Sequence, residues 1–161
     1  MKTTIQFLAI LFTTICFSQS SVSTSDFEIL NNTNWKGQLM YVNYGDGKEV
    51  VLPTTLKIEV KGNKVVFATG FSSEPEANSK ETIKIKKNGM LFGNEKVTAR
   101  AIADDGTITI TTEYTGKDAN RPATMFKSYV FNAKTVTITK EVLFDGESER
   151  FVRNRYSYTR I

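Results

Sequence analysis

The side chains best placed to do chemistry stand at alternate positions near the C-terminus. Asn154, Tyr156 and Tyr158 share one face of any extended segment there, while Arg153 and Arg155 take the other. Two phenols and a carboxamide give a mostly apolar wall a few orienting hydrogen bonds. That combination suits recognition of a small apolar or amphipathic molecule. An upstream run, Trp35 to Tyr44, offers Trp35, Leu39, Tyr41 and Asn43 on one parity. Phe126 with Val130, or else Tyr129 with Phe131, would extend the wall. Tyr41, Asn154, Tyr156 and Tyr158 are therefore the candidate ligand-binding residues. The competing reading is that these side chains simply fill a small β-barrel.

Catalytic chemistry finds little support. The 161 residues contain no histidine and a single cysteine, Cys16. A histidine-centred triad, a Cys/His zinc site and a disulfide framework are all excluded. Glu147 and Glu149 flank one turn and Asp104-Asp105-Gly106 forms another, where acids serve the turn itself. Gly45-Asp46-Gly47-Lys48 resembles a phosphate cradle only superficially, because it joins strand to strand and no helix dipole follows. A non-enzymatic chain without metal or cofactor is the expectation. Lys84, Lys86 and Lys87, like Arg153 and Arg155, fit a solvated strand face better than a nucleic-acid surface.

The first eighteen residues form a secretory leader. Lys2 supplies the positive start, Ile5 to Phe17 the apolar segment, and Cys16 and Ser18 the small residues at −3 and −1 before a cleavage point at Gln19. The apolar segment is too short to cross ~30 Å of hydrocarbon, so no transmembrane span is expected. Thr13, Thr14 and Ile15 fit a lipoprotein signal poorly, which disfavours lipid anchoring at Cys16. Removing Lys2 leaves twenty basic against seventeen acidic side chains, a net charge of about +3. An exported domain without disulfides points to a bacterial periplasm, cell surface or extracellular space.

Residues 19–33 form a lead-in, with a short helical turn expected over Ser25 to Asn32, and residues 34–161 form one domain. The period there is two. Thr107 to Thr111 and Thr135 to Thr139 alternate polar and β-branched apolar residues strictly, as do Leu56, Ile58 and Val60 with their lysine and glutamate neighbours. Gly62-Asn63, Asn88-Gly89, Asp105-Gly106 and Asp145-Gly146 punctuate the runs with turn chemistry. The expected strands are Trp35–Tyr44, Val50–Lys61 with a break at Pro53, Lys64–Phe71, Glu81–Lys87, Met90–Ala103 divided at Gly93, Thr107–Tyr114, Ala123–Asn132, Thr135–Phe144 and Ser148–Arg160. Only Ser72–Lys80 and Thr115–Pro122 read as long loops. The fold class is all-β: a single antiparallel meander barrel of about eight to ten strands, with a two-sheet sandwich as the alternative.

Closing such a meander sets the first strand against the last, so Trp35 neighbours Arg160. A tryptophan entering the first strand and an arginine leaving the last resembles the calycin-type barrels, the lipocalins and their relatives. Trp35-Lys36-Gly37 stands where lipocalins carry Gly-x-Trp, and Thr112-Glu113-Tyr114 echoes their Thr-Asp-Tyr. The resemblance implies that Arg160 covers the Trp35 indole and closes one end of the barrel, and that the interior binds a ligand.

A small apolar or amphipathic ligand is thus the expected partner. The alternative is an envelope module with a filled barrel that works through protein contacts. Intact-mass measurement on protein recovered from the exported fraction is expected to give a chain beginning at Gln19. A chain retaining Met1, or one lipidated at Cys16, would overturn the leader assignment.

Overall fold

The computed structural model describes residues 20–161; the leader, its cleavage point and Cys16 lie outside the described residues. Ten strands follow one another: β1 (Thr33–Val42), β2 (Glu49–Lys61), β3 (Lys64–Phe71), β4 (Ser79–Lys86), β5 (Leu91–Phe92), β6 (Glu95–Ile102), β7 (Ile108–Asp118), β8 (Arg121–Phe131), β9 (Thr135–Phe144) and β10 (Phe151–Arg160). Each pairs antiparallel with its chain neighbours, and β1 pairs with β10 to close the barrel. This is the meander barrel that the two-residue period implies, and its architecture is compatible with the calycin type.

Three local expectations change. The strand over Pro53 is unbroken. Pro53 lies just above the last β2–β3 pair, Thr54 with Phe71, so a missing N–H on that side costs no ladder bond. The expected loop Thr115–Pro122 is mostly strand. Asp118 pairs with Arg121 across a two-residue turn in which Ala119 and Asn120 both have positive φ, 47° and 63°. The N-terminal turn is a 3-10 segment, Thr24–Leu30, and starts earlier than expected because Asp26 rather than Glu28 accepts the capping N–H, from Ser23 at 2.8 Å.

That turn plugs one end. Phe27 stacks between Phe92 and Phe131 at 5.2 and 5.3 Å, and the Asp26 carboxylate takes a 2.5 Å hydrogen bond from Arg100. A bulge between Val97 and Ala99 brings Arg100 opposite the buried Ile110, facing inward toward Asp26. Trp35, fully buried, donates from its indole to Thr33 Oγ1 at 2.8 Å, and Thr33 in turn donates to the Leu30 carbonyl. The closed end is therefore dry and tied to the wall.

The opposite half is less complete. β5 has only two residues, and β4 meets it only at Ile85 and Lys86. β6 meets β7 only from Lys96 with Glu113 downward. Ser79–Ile83 and Tyr114–Asp118 thus have no strand between them. Two absent strands correspond to a cleft on the order of 14 Å at strand spacing. The barrel is closed below and slit above.

Closure itself demands a glycine. A Cβ on Gly37 would stand 1.9 Å from the Ser157 carbonyl oxygen, where β10 crosses β1. Gly37→Ala is expected to cost about 2–3 kcal/mol in urea denaturation. Gly47→Ala, strained in φ but set in open space, should cost about 1 kcal/mol. Equal losses would mean that close packing at Gly37 is unimportant.

Candidate functional site

The inward parity of three neighbouring strands carries polar residues where an apolar core would be expected. Along β7 the order is Ile110, Thr112, Tyr114; along β8 it is Met125, Lys127, Tyr129; along β9 it is Ile138, Lys140, Val142. The registers set Thr112 opposite Lys127 and Lys127 opposite Lys140. Two lysines directly opposed on adjacent strands repel unless each has a counter-ion. Each has one. Glu95 Oε1 sits 2.5 Å from Lys127 Nζ, and Asp118 Oδ2 sits 2.5 Å from Lys140 Nζ. Glu95 also accepts from Thr112 at 2.6 Å. Burial pulls the Lys127 ammonium down, but the Glu95 carboxylate outweighs it and holds the group above its ordinary value.

Below this belt lies a cavity of about 220 Å³. Its floor is apolar, with Leu56, Phe67, Ile83 and Ile138, while Lys127, Lys140, Glu81, Asn154 and three tyrosines supply polar atoms. Tyr156 and Tyr158 stack at 6.0 Å and 9°, forming one wall. Burial raises both phenols, Tyr158 to about 12, and raises Tyr129 well above the usual range together with the charges of Glu95 and Glu81. Tyr158 is 4% exposed; its hydroxyl stands beside those of Thr54 and Thr69, and among the described residues it makes no well-formed hydrogen bond. The Thr54 hydroxyl close by is likewise unpaired. Glu81 stands on the unpaired stretch of β4, opposite Phe67, and so at the margin of the cleft.

Asn154, Tyr156 and Tyr158 therefore meet in one cavity, as the alternation places them. Tyr41 does not join them. It faces Asn154 across the β1–β10 register, but its ring lies toward the mouth, 6.0 Å from the Arg153 guanidinium carbon. Tyr129 rather than Phe126 faces inward; Phe126 lies outside, under Arg150 at 3.5 Å. Arg153 is not part of a solvated basic face. A bulge between Val152 and Asn154 swings it to the mouth, where it donates to the Val42 carbonyl and covers Tyr44 at 4.2 Å. Trp35 and Arg160 are paired in register at the closed end, with the guanidinium carbon 6.0 Å from the ring, at the outer limit of a cation–π contact.

Asp118 organises the mouth. It accepts from Lys140, lies 3.5 Å from Arg153 Nε and takes a 2.6 Å hydrogen bond from Tyr44. Burial pushes its carboxyl up, yet Lys140, Tyr44 and Arg153 together hold it below the ordinary range. Partial burial and that same carboxylate push the Tyr44 phenol up to about 12.

Lys127, Lys140, Glu81, Glu95 and Asp118 escape a reading by residue type, because charges in strands are usually solvated. Their parity is the available signal: each lysine lies two residues from an inward aromatic or β-branched side chain. No protein-family model matches this chain, and comparison with curated proteins likewise finds no match.

A carboxyl held below its ordinary value in the fold contributes stability that is present above about pH 4 and lost as pH falls through the folded value. Asp118→Asn is expected to lower stability at pH 7 by about 1–3 kcal/mol, since it strips the counter-ion from two cations. It should also flatten the loss of stability between pH 4 and pH 2. Parallel pH profiles for both proteins would remove Asp118 from this role.

Proposed function

We propose that this chain is an exported, lipocalin-like barrel that binds a small amphipathic ligand and does not transform it. The observation that carries the reading is the cavity itself: an apolar floor beside a stacked tyrosine wall, with one buried phenol that makes no well-formed hydrogen bond to the described residues. An unpaired buried hydroxyl costs about 1–3 kcal/mol, a cost that a ligand acceptor would remove. A filled, structural barrel would gain nothing from that arrangement. The lining favours an amphipathic over a purely apolar ligand, because two ammonium groups and a carboxylate face the space.

Binding without catalysis is supported by how the acids are used. Glu95 and Asp118 are engaged by lysines, which leaves them acceptors rather than proton-transfer groups. Export rests on the leader: its positive start, short apolar segment and small residues at the cleavage point. The competing reading, a protein-contact module of the envelope, draws on the mouth. There Arg121 and Arg153 lie over Phe144 and Tyr44, and on the outer wall Arg150 lies over Phe126, a composition common at interfaces.

Native mass spectrometry of protein purified from its own host is expected to show a retained small molecule. Tyr158→Phe should raise the stability of the ligand-free protein by about 1 kcal/mol, since it deletes an unpaired buried hydroxyl. The same substitution should release the retained molecule at least tenfold more readily. A protein that carries nothing, and a variant that is destabilised, would favour the contact module instead.

A further inference from the structure

The charges around the cavity separate into two walls. Lys127 and Glu95 neutralise each other, but Asp118 is shared between Lys140 and Arg153, which leaves the β8–β9 side with an excess positive charge. Each lysine commits one hydrogen bond to its carboxylate and has further donors available, and both line the cavity while their counter-ions do not. Lys127 and Lys140 are directly opposed across the β8–β9 register and both line the cavity, so a carboxylate bound there meets two ammonium groups. On the β4 side stands Glu81. It has no cation within ion-pair distance among the described residues. It lines the same cavity as Lys127, Tyr129 and Tyr156.

A ligand of a single charge would satisfy one wall and meet the other as a like charge. An uncharged apolar ligand would displace water from both and offer neither a hydrogen bond. The apolar floor and the tyrosine stack between them take a flat or compact body.

We propose that the cavity selects a small zwitterion, an apolar body with an ammonium group held by Glu81 and a carboxylate held between Lys127 and Lys140. This assignment rests on the ligand-binding reading above and names the ligand class. The cleft between Ser79–Ile83 and Tyr114–Asp118 gives side access, and Glu81 stands at its margin.

Four para-substituted benzenes of similar size separate the contributions: 4-(aminomethyl)benzoate, 4-methylbenzoate, 4-methylbenzylamine and p-xylene. Titration calorimetry at pH 7 on the mature chain should rank the zwitterion at least tenfold tighter than either singly charged probe, with p-xylene weakest. Glu81 is exposed and unpaired, so Glu81→Gln should fold normally. It is expected to weaken the two amine-bearing probes at least tenfold and leave 4-methylbenzoate unchanged. Lys127→Gln should do the reverse, and thermal unfolding checks that it is folded. Equal binding of a singly charged probe or of p-xylene would overturn the zwitterion while leaving a ligand-binding barrel. So would indifference of the amine probes to Glu81→Gln. If none of the four binds but the host-purified protein retains a small molecule, the zwitterion assignment falls alone. If none binds and nothing is retained, both readings fall.

Discussion

Seven residue pairs join the first strand to the last, from Trp35 with Arg160 at the closed end to Tyr41 with Asn154 near the mouth. Every other feature of the interior depends on this register. Side chains alternate with a period of two, so a slip of one residue would turn Asn154, Tyr156 and Tyr158 outward and Arg155 inward. The register is held where it cannot slide: Gly37 admits the Ser157 carbonyl at a distance no side chain would tolerate, and Trp35 is fully buried against the N-terminal turn. Covalent staples have no part in this, as Cys16 is the chain's one cysteine.

With the register fixed, the interior divides into layers. The lower layer, with Phe27, Trp35, Phe92 and Phe131, is closely stacked and excludes water. A second apolar cluster, Ala123, Met125, Val142 and Phe144, sits near the mouth. The polar belt of Thr112, Lys127 and Lys140 lies between them along β7, β8 and β9. Such a belt contributes little net stability, because desolvating the ions offsets most of their attraction. It is tolerable because the lower layer is complete. Its specific effect is on shape: long lysine side chains tied to Glu95 and Asp118 cannot collapse into the space beside Ile138 and Tyr156.

Much of this was legible in the sequence, for definable reasons. Lys64–Phe71 and Thr135–Phe144 form strands with the boundaries read from the sequence, because apolar and β-branched residues run through both and turn residues precede them. The tyrosine wall follows from the same parity. The polar belt was hidden because its partners are remote in the chain. Glu95 reaches Lys127 across 32 positions, and Asp118 reaches Lys140 across 22. Asp118 also stood in a stretch read as loop, since Thr115-Gly116-Lys117 shows no apolar alternation. Bulges account for the rest. Each shifts parity by one residue, and no residue type in Val97-Thr98-Ala99 or Val152-Arg153-Asn154 announces the shift.

The two ends of the one sheet thus differ in how completely their polar groups are satisfied. The closed end spends its hydrogen bonds on itself: Trp35 to Thr33, Thr33 to Leu30, Arg100 to Asp26. Among the described residues the slit half leaves two buried hydroxyls without a well-formed hydrogen bond, those of Tyr158 and Thr54, and an exposed Glu81 without an ion pair. Unsatisfied buried groups in a fold optimised only for stability would be replaced by Phe or Val at little structural cost. The Tyr158 hydroxyl lines a cavity that lies beside the stretch of β4 lacking an outer partner. The short β5 links the two halves. By ending after Phe92 it completes the stack on Phe27 below and leaves the wall open above, so a single two-residue strand sets both the seal and the access.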